Sequence, residues 1–451
     1  MPRKHNETYL DYRRRVIDIK SESWCAAKWY NATIWLGSGQ TTSCHHPLPH
    51  HVEIADVEKN PRALHNTPKK KQEREQMLQG QRPAGCEYCW KIEDADPNNV
   101  SDRVYKTVIY KDEDLDDAFK TPSSDDVDLK TLEISFDRTC QFSCSYCNPA
   151  FSSAWARDIK HNGPYNRLIS DGRNHFTHTH DSSQLFRYGE ENPYVEAFFR
   201  WWDASLHKTL RELRITGGEP LMSGHTWKLI EWFKNNPGAS TTRLAINTNL
   251  GYDNQRLQEF LTAIRGLPEV EVYTSNESVG GQAEYIRDGL NYEQWLANVR
   301  TLILAPEIQS VHCMATINAL CLDTLPEFLT KLLELKSNYG RDAINFTLNI
   351  LRFPSFQSPL VLSPELRQHY ALRLTNWLNI WNNHIGLHEH ERDHVQRLIN
   401  YLTVVETPHS EAFDRASLHN DFREFYSQYD QRRNKDFAST CPNLIDWYKT
   451  L

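Results

Sequence analysis

Six short apolar or β-branched runs alternate with amphipathic stretches in this chain, and this alternation constrains the fold more than any other feature. The runs lie at 131–136, 210–215, 243–247, 270–275, 310–316 and 344–350. Strands that alternate with helices are typical of a parallel sheet built from right-handed βαβ units. We therefore predict an α/β fold. Six units are too few for a closed eight-stranded barrel, so we expect a partial (β/α)6 TIM-like barrel.

The sequence on either side of this core predicts three further regions. Residues 1–95 are irregular and rich in cysteine, and residues 96–128 are acidic and polar, which is typical of a surface linker. The core is assigned to 129–355, and residues 356–451 after it have a helical pattern. We therefore expect an N-terminal cysteine-rich segment, a linker, the barrel core and a helical C-terminal region.

The composition and charge exclude several classes of protein. Among 451 residues, 59 acids outnumber 51 bases, and the formal charge of −8 predicts no general affinity for nucleic acid. No run of 18 apolar residues occurs, and the first residues lack the apolar stretch of a signal peptide. We therefore expect a cytoplasmic protein without a membrane segment. Acids directly follow the basic run Lys69-Lys70-Lys71, which predicts a solvated helix face.

The ten cysteines are the most informative residues for function. In a reducing compartment, clustered cysteines indicate metal or redox chemistry rather than a disulfide framework. A tight group and a spread group are present: Cys140, Cys144 and Cys147, and Cys25, Cys44, Cys86 and Cys89. We expect the three isolated ones, Cys313, Cys321 and Cys441, to be small buried hydrophobic residues.

The tight group is a C-x3-C-x2-C motif that follows the first predicted strand. Three thiolates in a short loop can ligate three irons of a 4Fe–4S cluster and leave the fourth iron open to a small molecule. A structural zinc site is the alternative. Zinc takes four tetrahedral ligands, however, and the sequence nearby offers no obvious fourth one. The motif therefore favours iron–sulfur chemistry.

Polar residues also follow the next three predicted strands. Gly217-Gly218-Glu219 comes after the second strand, Asn249 after the third and Ser275 after the fourth. In parallel α/β folds the functional groups lie where strands end. We therefore expect these residues and the cysteine motif to converge on one rim.

A C-x3-C-x2-C loop after one strand and GGEP after the next together resemble the radical S-adenosylmethionine (SAM) superfamily. The resemblance implies that the three cysteines hold a 4Fe–4S cluster whose open iron takes the amino and carboxylate groups of SAM. It also implies that Gly217, Gly218 and Glu219 bind the SAM amino group. Reductive cleavage of SAM then gives a 5′-deoxyadenosyl radical, which removes a hydrogen atom from the substrate.

The same resemblance assigns further residues to the SAM site. It implies that Asn249 lies near the ribose, that Ser275 contacts SAM, and that Arg287 meets the SAM carboxylate. Glu277 stands where the family has an aspartate in an S-x-D string, so the resemblance gives it no role. Capping or surface roles are the alternatives for Asn249, Ser275 and Arg287.

The spread group resembles the cysteines of SPASM/twitch radical SAM proteins, which hold an auxiliary 4Fe–4S cluster. The resemblance implies that Cys25, Cys44, Cys86 and Cys89 are the ligands. The chain has Cys44-His45 where the family often has two cysteines. Four protein thiolates would leave no open iron. A zinc site with the same ligands is the alternative.

The SPASM/twitch resemblance also implies a substrate and a partner. Relatives with an auxiliary cluster often modify peptides or proteins, so a peptide is the expected substrate. A nucleotide-derived compound or another small metabolite is the alternative. A flavodoxin- or ferredoxin-like protein is expected to supply the electron. We also predict that the long polar segment 160–195 is a lid that covers the substrate.

Two other function classes stay open at this point. His390 and His394 satisfy the H-E-x-x-H pattern of zinc-dependent hydrolases, although the charged residues between them predict a solvated helix face. A non-catalytic, cysteine-rich metal-binding module would use both cysteine groups structurally. It would leave the GGEP string unexplained.

Overall fold

The structure is a computed structural model that describes residues 3–4, 6–169, 176, 185–186, 190–404 and 415–451. The chain has an α/β fold with mostly parallel strands, as predicted. Two compact units are present: Met1–Asp137 with Ser183–Gly217 and Asn236–Leu244, and Arg138–Ser182 with Gly218–Asn235 and Ala245–Leu451. In the described ranges, no helix is both long and apolar enough to cross a membrane.

The first unit contains five strands in the order β3-β2-β1-β4-β5. They are β1 Asn31–Trp35, β2 Gln40–Thr42, β3 His50–His51, β4 Thr131–Ser135 and β5 Glu212–Thr216. Ile34, Ile134 and Ile215 are paired across the parallel strands β1, β4 and β5 and form one buried row. The predicted strands at 131–136 and 210–215 are confirmed as β4 and β5. Strands β1–β3 lie in the segment that was predicted to be irregular.

The first unit contains the helices α1 Tyr9–Tyr12, α2 Ala27–Tyr30, α3 Ile54–Lys59, α4 Pro68–Leu78, α5 Glu87–Ala95, α6 Asp102–Thr107, α7 Asp112–Lys120, α9 Pro193–Trp201 and α10 His207–Thr209. Six of these helices, α1, α2 and α4–α7, contribute residues to an aromatic core. Trp24, Trp29 and Trp90 are members of this core. Helices α6 and α7 fall in the predicted linker, and Leu115 and Ala118 of α7 are buried because their spacing places both on one helix face.

The second unit contains most of β6, together with β7, β8 and β9, in that order. Their bounds are β6 Arg243–Thr248, β7 Glu269–Thr274, β8 Ser310–Ile317 and β9 Asn345–Ile350. Strands β7, β8 and β9 pair in parallel. These four strands confirm the predictions at 243–247, 270–275, 310–316 and 344–350.

The helices of the second unit precede, separate and follow its strands. They are α8 Ser153–Asn162, α11 Gly224–Asn235, α12 Asn254–Ala263, α13 Gly280–Ile286, α14 Tyr292–Leu304, α15 Leu325–Tyr339, α16 Pro364–Trp381, α17 Glu389–Leu402, α18 Arg415–Arg433, α19 Phe437–Thr440 and α20 Ile445–Tyr448. In α14, Trp295, Val299 and Leu302 recur at helical spacing and are buried. The partial barrel and the functional division of the chain stay predictions.

The basic run in α4 differs from its prediction. Lys69 is exposed as expected, but Lys70 is fully buried. Its Nζ donates hydrogen bonds to Thr41 Oγ1 at 2.8 Å and to the Thr42 carbonyl oxygen at 3.2 Å. Burial lowers the pKa of Lys70 well below its usual value. Two adjacent lysines of one helix, which a charge count treats alike, thus lie on different faces, because each residue of a helix is rotated by about 100° from the one before.

Two other predictions concern single residues and a segment. The isolated cysteines Cys313, Cys321 and Cys441 are buried, as expected. The predicted lid falls mainly on residues that the structure does not describe. Within 160–195, the described positions are 160–169, 176, 185–186 and 190–195.

Candidate functional site

The cysteine loop, residues 138–148, is held in place by side chains at the start of α8. The Cys140 N–H donates to Ser153 Oγ at 3.0 Å, and Ser153 Oγ donates to the Cys140 carbonyl oxygen at 3.1 Å. The Trp155 indole N–H donates to the Cys144 carbonyl oxygen at 2.9 Å. A loop without regular secondary structure therefore has fixed positions for two of its three cysteines.

The three thiols of this loop affect one another's ionisation. Burial, with the neighbouring Cys144, raises the pKa of Cys140 to about 12. Burial raises the pKa of Cys144 to about 11, and burial with both other cysteines raises the pKa of Cys147. The thiols are therefore protonated until a metal binds, and metal binding must release their protons.

N–H groups lie near two of the three sulfur atoms. The Phe142 N–H donates to Cys140 Sγ at 3.4 Å, and Asn249 Nδ2 lies 3.9 Å from the same sulfur. Arg287 Nη1 lies 4.0 Å from Cys144 Sγ. Hydrogen bonds to ligand sulfur are one of the means by which proteins tune iron–sulfur clusters. This donor set fits thiolates that carry a cluster.

Gly218 and Glu219 lie against the cysteine loop in the same unit. A Cβ atom on Gly218 would lie 2.4 Å from the Thr139 carbonyl oxygen, so only glycine fits there. The Glu219 N–H donates to that carbonyl at 2.7 Å. Gly217 belongs to the first unit, where its φ is +116° and a Cβ atom would lie 2.5 Å from Ser135 Oγ.

The Glu219 carboxylate is buried and accepts two backbone hydrogen bonds. Oε1 accepts from the Leu221 N–H at 3.1 Å, and Oε2 accepts from the Asn249 N–H at 2.6 Å. Burial nevertheless raises the pKa of Glu219, although the hydrogen bonds from the Asn249 and Leu221 N–H groups act in the opposite direction. A buried carboxylate of this kind is stabilised by a cationic ligand.

The Asn249 side chain joins the end of β6 to the cysteine loop. Its Oδ1 accepts from Gln141 Nε2 at 3.0 Å and from the Gly251 N–H at 2.9 Å. A Cβ atom on Gly251 would lie 2.3 Å from the Phe142 ring, so the loop packs directly on this backbone. The structure thus brings Asn249 to the cysteines, as the strand-end rule predicts.

Glu277 forms a buried ion pair with Arg287 after the end of β7. Arg287 Nη2 lies 2.6 Å from Glu277 Oε2, and the two side chains are 5% and 1% exposed. The Tyr146 hydroxyl donates to Glu277 Oε1 at 3.2 Å. Burial opposes the charge of Arg287, but Glu277 raises the pKa of the guanidinium. Ser275 is half-buried and directly follows the strand.

The sequence prediction did not include Tyr146 within the cysteine loop or Gln357, which contacts it. Tyr146 lies between two motif cysteines, so its position in the spacer was an available signal. Gln357 had no such signal, because it is 212 residues away from Ser145 in the chain. Its Nε2 donates to the Ser145 carbonyl oxygen at 2.9 Å, and its Oε1 accepts from Ser145 Oγ at 3.3 Å.

The four cysteines of the spread group line one cavity within the first unit, which we call the four-cysteine cavity. The cysteines that line it are Cys25, Cys44, Cys86 and Cys89. Burial raises the pKa of Cys25 to about 12 and that of Cys86 to about 11, and neighbouring thiols add to the shift of Cys25. The predicted grouping of cysteines that are up to 64 positions apart is therefore present in the fold.

The spacing of the cysteine side chains differs between a zinc site and an iron–sulfur cluster. Among the described residues, no three His, Cys, Asp or Glu side chains are grouped to hold a single metal ion. Thiolates of one zinc ion all lie about 2.3 Å from the same centre. The thiolates of a cluster bind separate irons, so they lie further apart. Both kinds of site use cysteine ligands, so the metal content distinguishes them.

The H-E-x-x-H pattern lies on α17. The prediction of a solvated helix face is wrong for its glutamate. Glu391 is fully buried and lies 2.7 Å from Lys336 Nζ. It also accepts the Phe346 N–H at 2.9 Å. A glutamate that is held by a buried lysine is not available as the general base of a metal-bound water. The geometry gives no support to a zinc site at His390 and His394.

No protein-family model and no curated protein matches the chain. Among solved structures, the chain is similar to Streptococcus suis SuiB, with 12% identity and a TM-score of 0.34 over 70% of this chain and 65% of SuiB. It is also similar to SuiB bound to S-adenosylmethionine, with 10% identity and a TM-score of 0.34 over 78% of this chain and 70% of that one. Native anSMEcpe with bound AdoMet has 11% identity and a TM-score of 0.34 over 70% of this chain and 98% of its own.

Proposed function

We propose that this protein is a radical SAM enzyme that holds a 4Fe–4S cluster on Cys140, Cys144 and Cys147. One observation supports this proposal above the others. Three thiols, a buried carboxylate at Glu219 and a buried guanidinium at Arg287 belong to one connected set within the second unit. When bound, the cluster supplies the electron that breaks the sulfur–C5′ bond of SAM and gives methionine and a 5′-deoxyadenosyl radical.

The chain's own residues bind and orient the amino-acid end of SAM in this proposal. Glu219 has the charge to bind the ammonium group, and Arg287 has the charge to bind the carboxylate. Glu277 keeps Arg287 in one orientation through their buried ion pair. Because these groups are buried, water screens their interactions with SAM only weakly. Asn249 and Ser275 are proposed to contact the rest of the SAM molecule.

We propose that the four-cysteine cavity holds an auxiliary 4Fe–4S cluster, as in SPASM/twitch proteins. Its four thiols face one cavity, and Lys28 and Arg103 also line that cavity. Cationic groups compensate the negative charge of a cluster with four thiolate ligands. Four protein ligands leave no open iron, so this site differs in function from the three-cysteine loop.

A peptide or protein is the proposed substrate, on the resemblance to SPASM/twitch enzymes. A nucleotide-derived compound or another small metabolite is the second candidate. A flavodoxin- or ferredoxin-like protein is the proposed electron donor, and the ten free cysteines suit a reducing cytoplasm.

Anaerobic purification followed by iron, sulfide and zinc analysis tests both cluster assignments. We expect about eight irons per chain by ligand count, with visible absorbance typical of thiolate-bound clusters. Joint replacement of Cys140, Cys144 and Cys147 by alanine should remove about half of the iron and abolish production of 5′-deoxyadenosine from SAM. The matched control replaces the other buried cysteines, Cys313, Cys321 and Cys441, and should keep both.

Two results would contradict the proposal. If the loop variant keeps all of its iron, the cysteine loop does not hold a cluster. If the purified chain contains stoichiometric zinc and no sulfide, the cysteine groups belong to a metal-binding module instead.

A further inference from the structure

The four-cysteine cavity has a wall of cationic side chains that the cysteine motif alone does not require. Lys28, Arg103 and Lys106 line the cavity together with the four cysteines. Lys28 and Arg103 are each only 2% exposed. Lysine and arginine are rarely buried to this degree without a charged partner.

Each buried cation has an acidic partner that does not itself line the cavity. Lys28 Nζ lies 2.5 Å from Glu73 Oε2. Arg103 makes an ion pair with Glu93 at 2.8 Å and with Asp18 at 2.7 Å. The residues that line the cavity do not include Glu73, Glu93 or Asp18. Asp102 is the acid among the residues that line the cavity. The positive charge of Lys28 acts on the cysteines, because it lowers the pKa of Cys44 and Cys86 against the effect of burial.

Lys28 is held by a contact of its backbone as well as by its ion pair. It lies in α2, three residues after Cys25, and its carbonyl oxygen accepts from Arg74 Nε at 2.9 Å. A Cβ atom on Gly85, the residue before Cys86, would lie 3.1 Å from Glu73 Oε1. The Lys28–Glu73 pair is thus packed beside the backbone that carries two of the four cysteines.

We propose that Lys28 makes the metal group of the four-cysteine cavity a one-electron carrier by stabilising its reduced state. This inference rests on the proposed auxiliary cluster. Four thiolates and a 4Fe–4S core have a net charge of −2, and one electron from a low-potential donor makes it −3 without forming or breaking a bond. A fixed positive charge in the wall of the cavity stabilises the reduced cluster, which is the more negative of the two states.

The role of electron carrier also agrees with the ligand count. A cluster with four protein thiolates has no free iron on which a substrate could bind. Electron transfer needs no free iron, and it needs only a stable potential and a short path for the electron. The buried cation supplies the stable potential, because salt and water screen a buried charge only weakly.

The test uses the full-length chain in which Cys140, Cys144 and Cys147 are alanine, so that only the auxiliary cluster remains. Anaerobic redox titration with EPR detection gives its midpoint potential. We expect Lys28→Met to reduce the equilibrium constant for reduction at least tenfold, which is a shift of 59 mV for a one-electron couple. Glu73→Gln should shift the potential in the opposite direction. Lys69→Met, which removes an exposed lysine from α4, should change the equilibrium constant for reduction by less than twofold.

The double variant Lys28→Met/Glu73→Gln has no unpaired buried charge, so it keeps the test valid if Lys28→Met alone does not fold. Its potential should lie between those of the two single variants. If four irons are present and Lys28→Met shifts the potential no more than Lys69→Met does, the inference is wrong and the auxiliary cluster stands. If four irons are present and the cluster cannot be reduced, the inference about Lys28 is also wrong, and the auxiliary cluster again stands. If the background chain contains zinc or no metal, the auxiliary cluster itself is wrong.

Discussion

Replacing Glu277 by glutamine should destabilise the second unit because it leaves a buried guanidinium without its counter-charge. Arg287 and Glu277 are 5% and 1% exposed, and Arg287 Nη2 lies 2.6 Å from the carboxylate. Removing one member of such a pair typically costs about 3–5 kcal/mol. A folded domain is stable by only about 5–15 kcal/mol, so the expected loss is a large share of the total.

The assay is denaturant unfolding of the metal-free chain, followed by tryptophan fluorescence under reducing conditions. Glu259→Gln is the matched control, because Glu259 makes an exposed ion pair with Arg256 at 3.1 Å. That variant should lose less than about 1 kcal/mol. The double variant Glu277→Gln/Arg287→Met should recover most of the loss, since it leaves no unpaired charge. If Glu277→Gln is as stable as Glu259→Gln, the ion pair does not hold the site together.

Three further predictions concern other residues of the second unit. Because burial raises the pKa of Glu219, SAM should bind more tightly as the pH rises and this carboxyl loses its proton, as measured by equilibrium dialysis over a pH series. The variant Glu219→Gln should bind SAM weakly, its affinity should not increase with pH, and its iron content should be unchanged. Gly218→Ala should displace the cysteine loop and lower the iron content at least twofold, whereas Gly224→Ala, which has open space around it, should not. Glu391→Gln should lower the denaturant midpoint by the equivalent of about 3–5 kcal/mol and leave zinc content unchanged.

The strands of the fold could be predicted from the sequence because local patterns determine them. Each of the six predicted runs is confirmed as a strand, from β4 to β9. The N-terminal strands could not be predicted in the same way. The first of them, β1, pairs with β4, and Asn31 lies opposite Thr131, 100 positions further along the chain. Such pairing depends on contacts that no short sequence window contains.

The cysteine loop was predictable because its three cysteines lie within eight residues, whereas the burial of several charged residues was not. The alternation of polar and apolar residues gives no sign that Lys70 and Glu391 are buried. Each is buried because a distant partner accepts or supplies its hydrogen bonds: Thr41 in the first case and Lys336 in the second. Glu277 is similar, since its partner Arg287 comes from the far end of α13. Charge counts predict solvation, and only tertiary contacts can overrule them.

Both cysteine groups are electrically balanced before any metal binds. Burial raises the pKa of Cys140 to about 12 and that of Cys25 to about 12, so the thiols are neutral. The cations beside them are paired with acids of the chain: Arg287 with Glu277 beside the loop, and Lys28 with Glu73 beside the four-cysteine cavity. Arg287 and Lys28 are therefore charge-compensated while the thiols are protonated. Metal binding converts the thiols to thiolates, and the cations then stabilise a second anionic neighbour. In the proposed function, these buried acid–base pairs would suit both states of the site: each cation has an acidic partner beside the neutral thiols, and it would gain a second anionic neighbour beside a bound cluster.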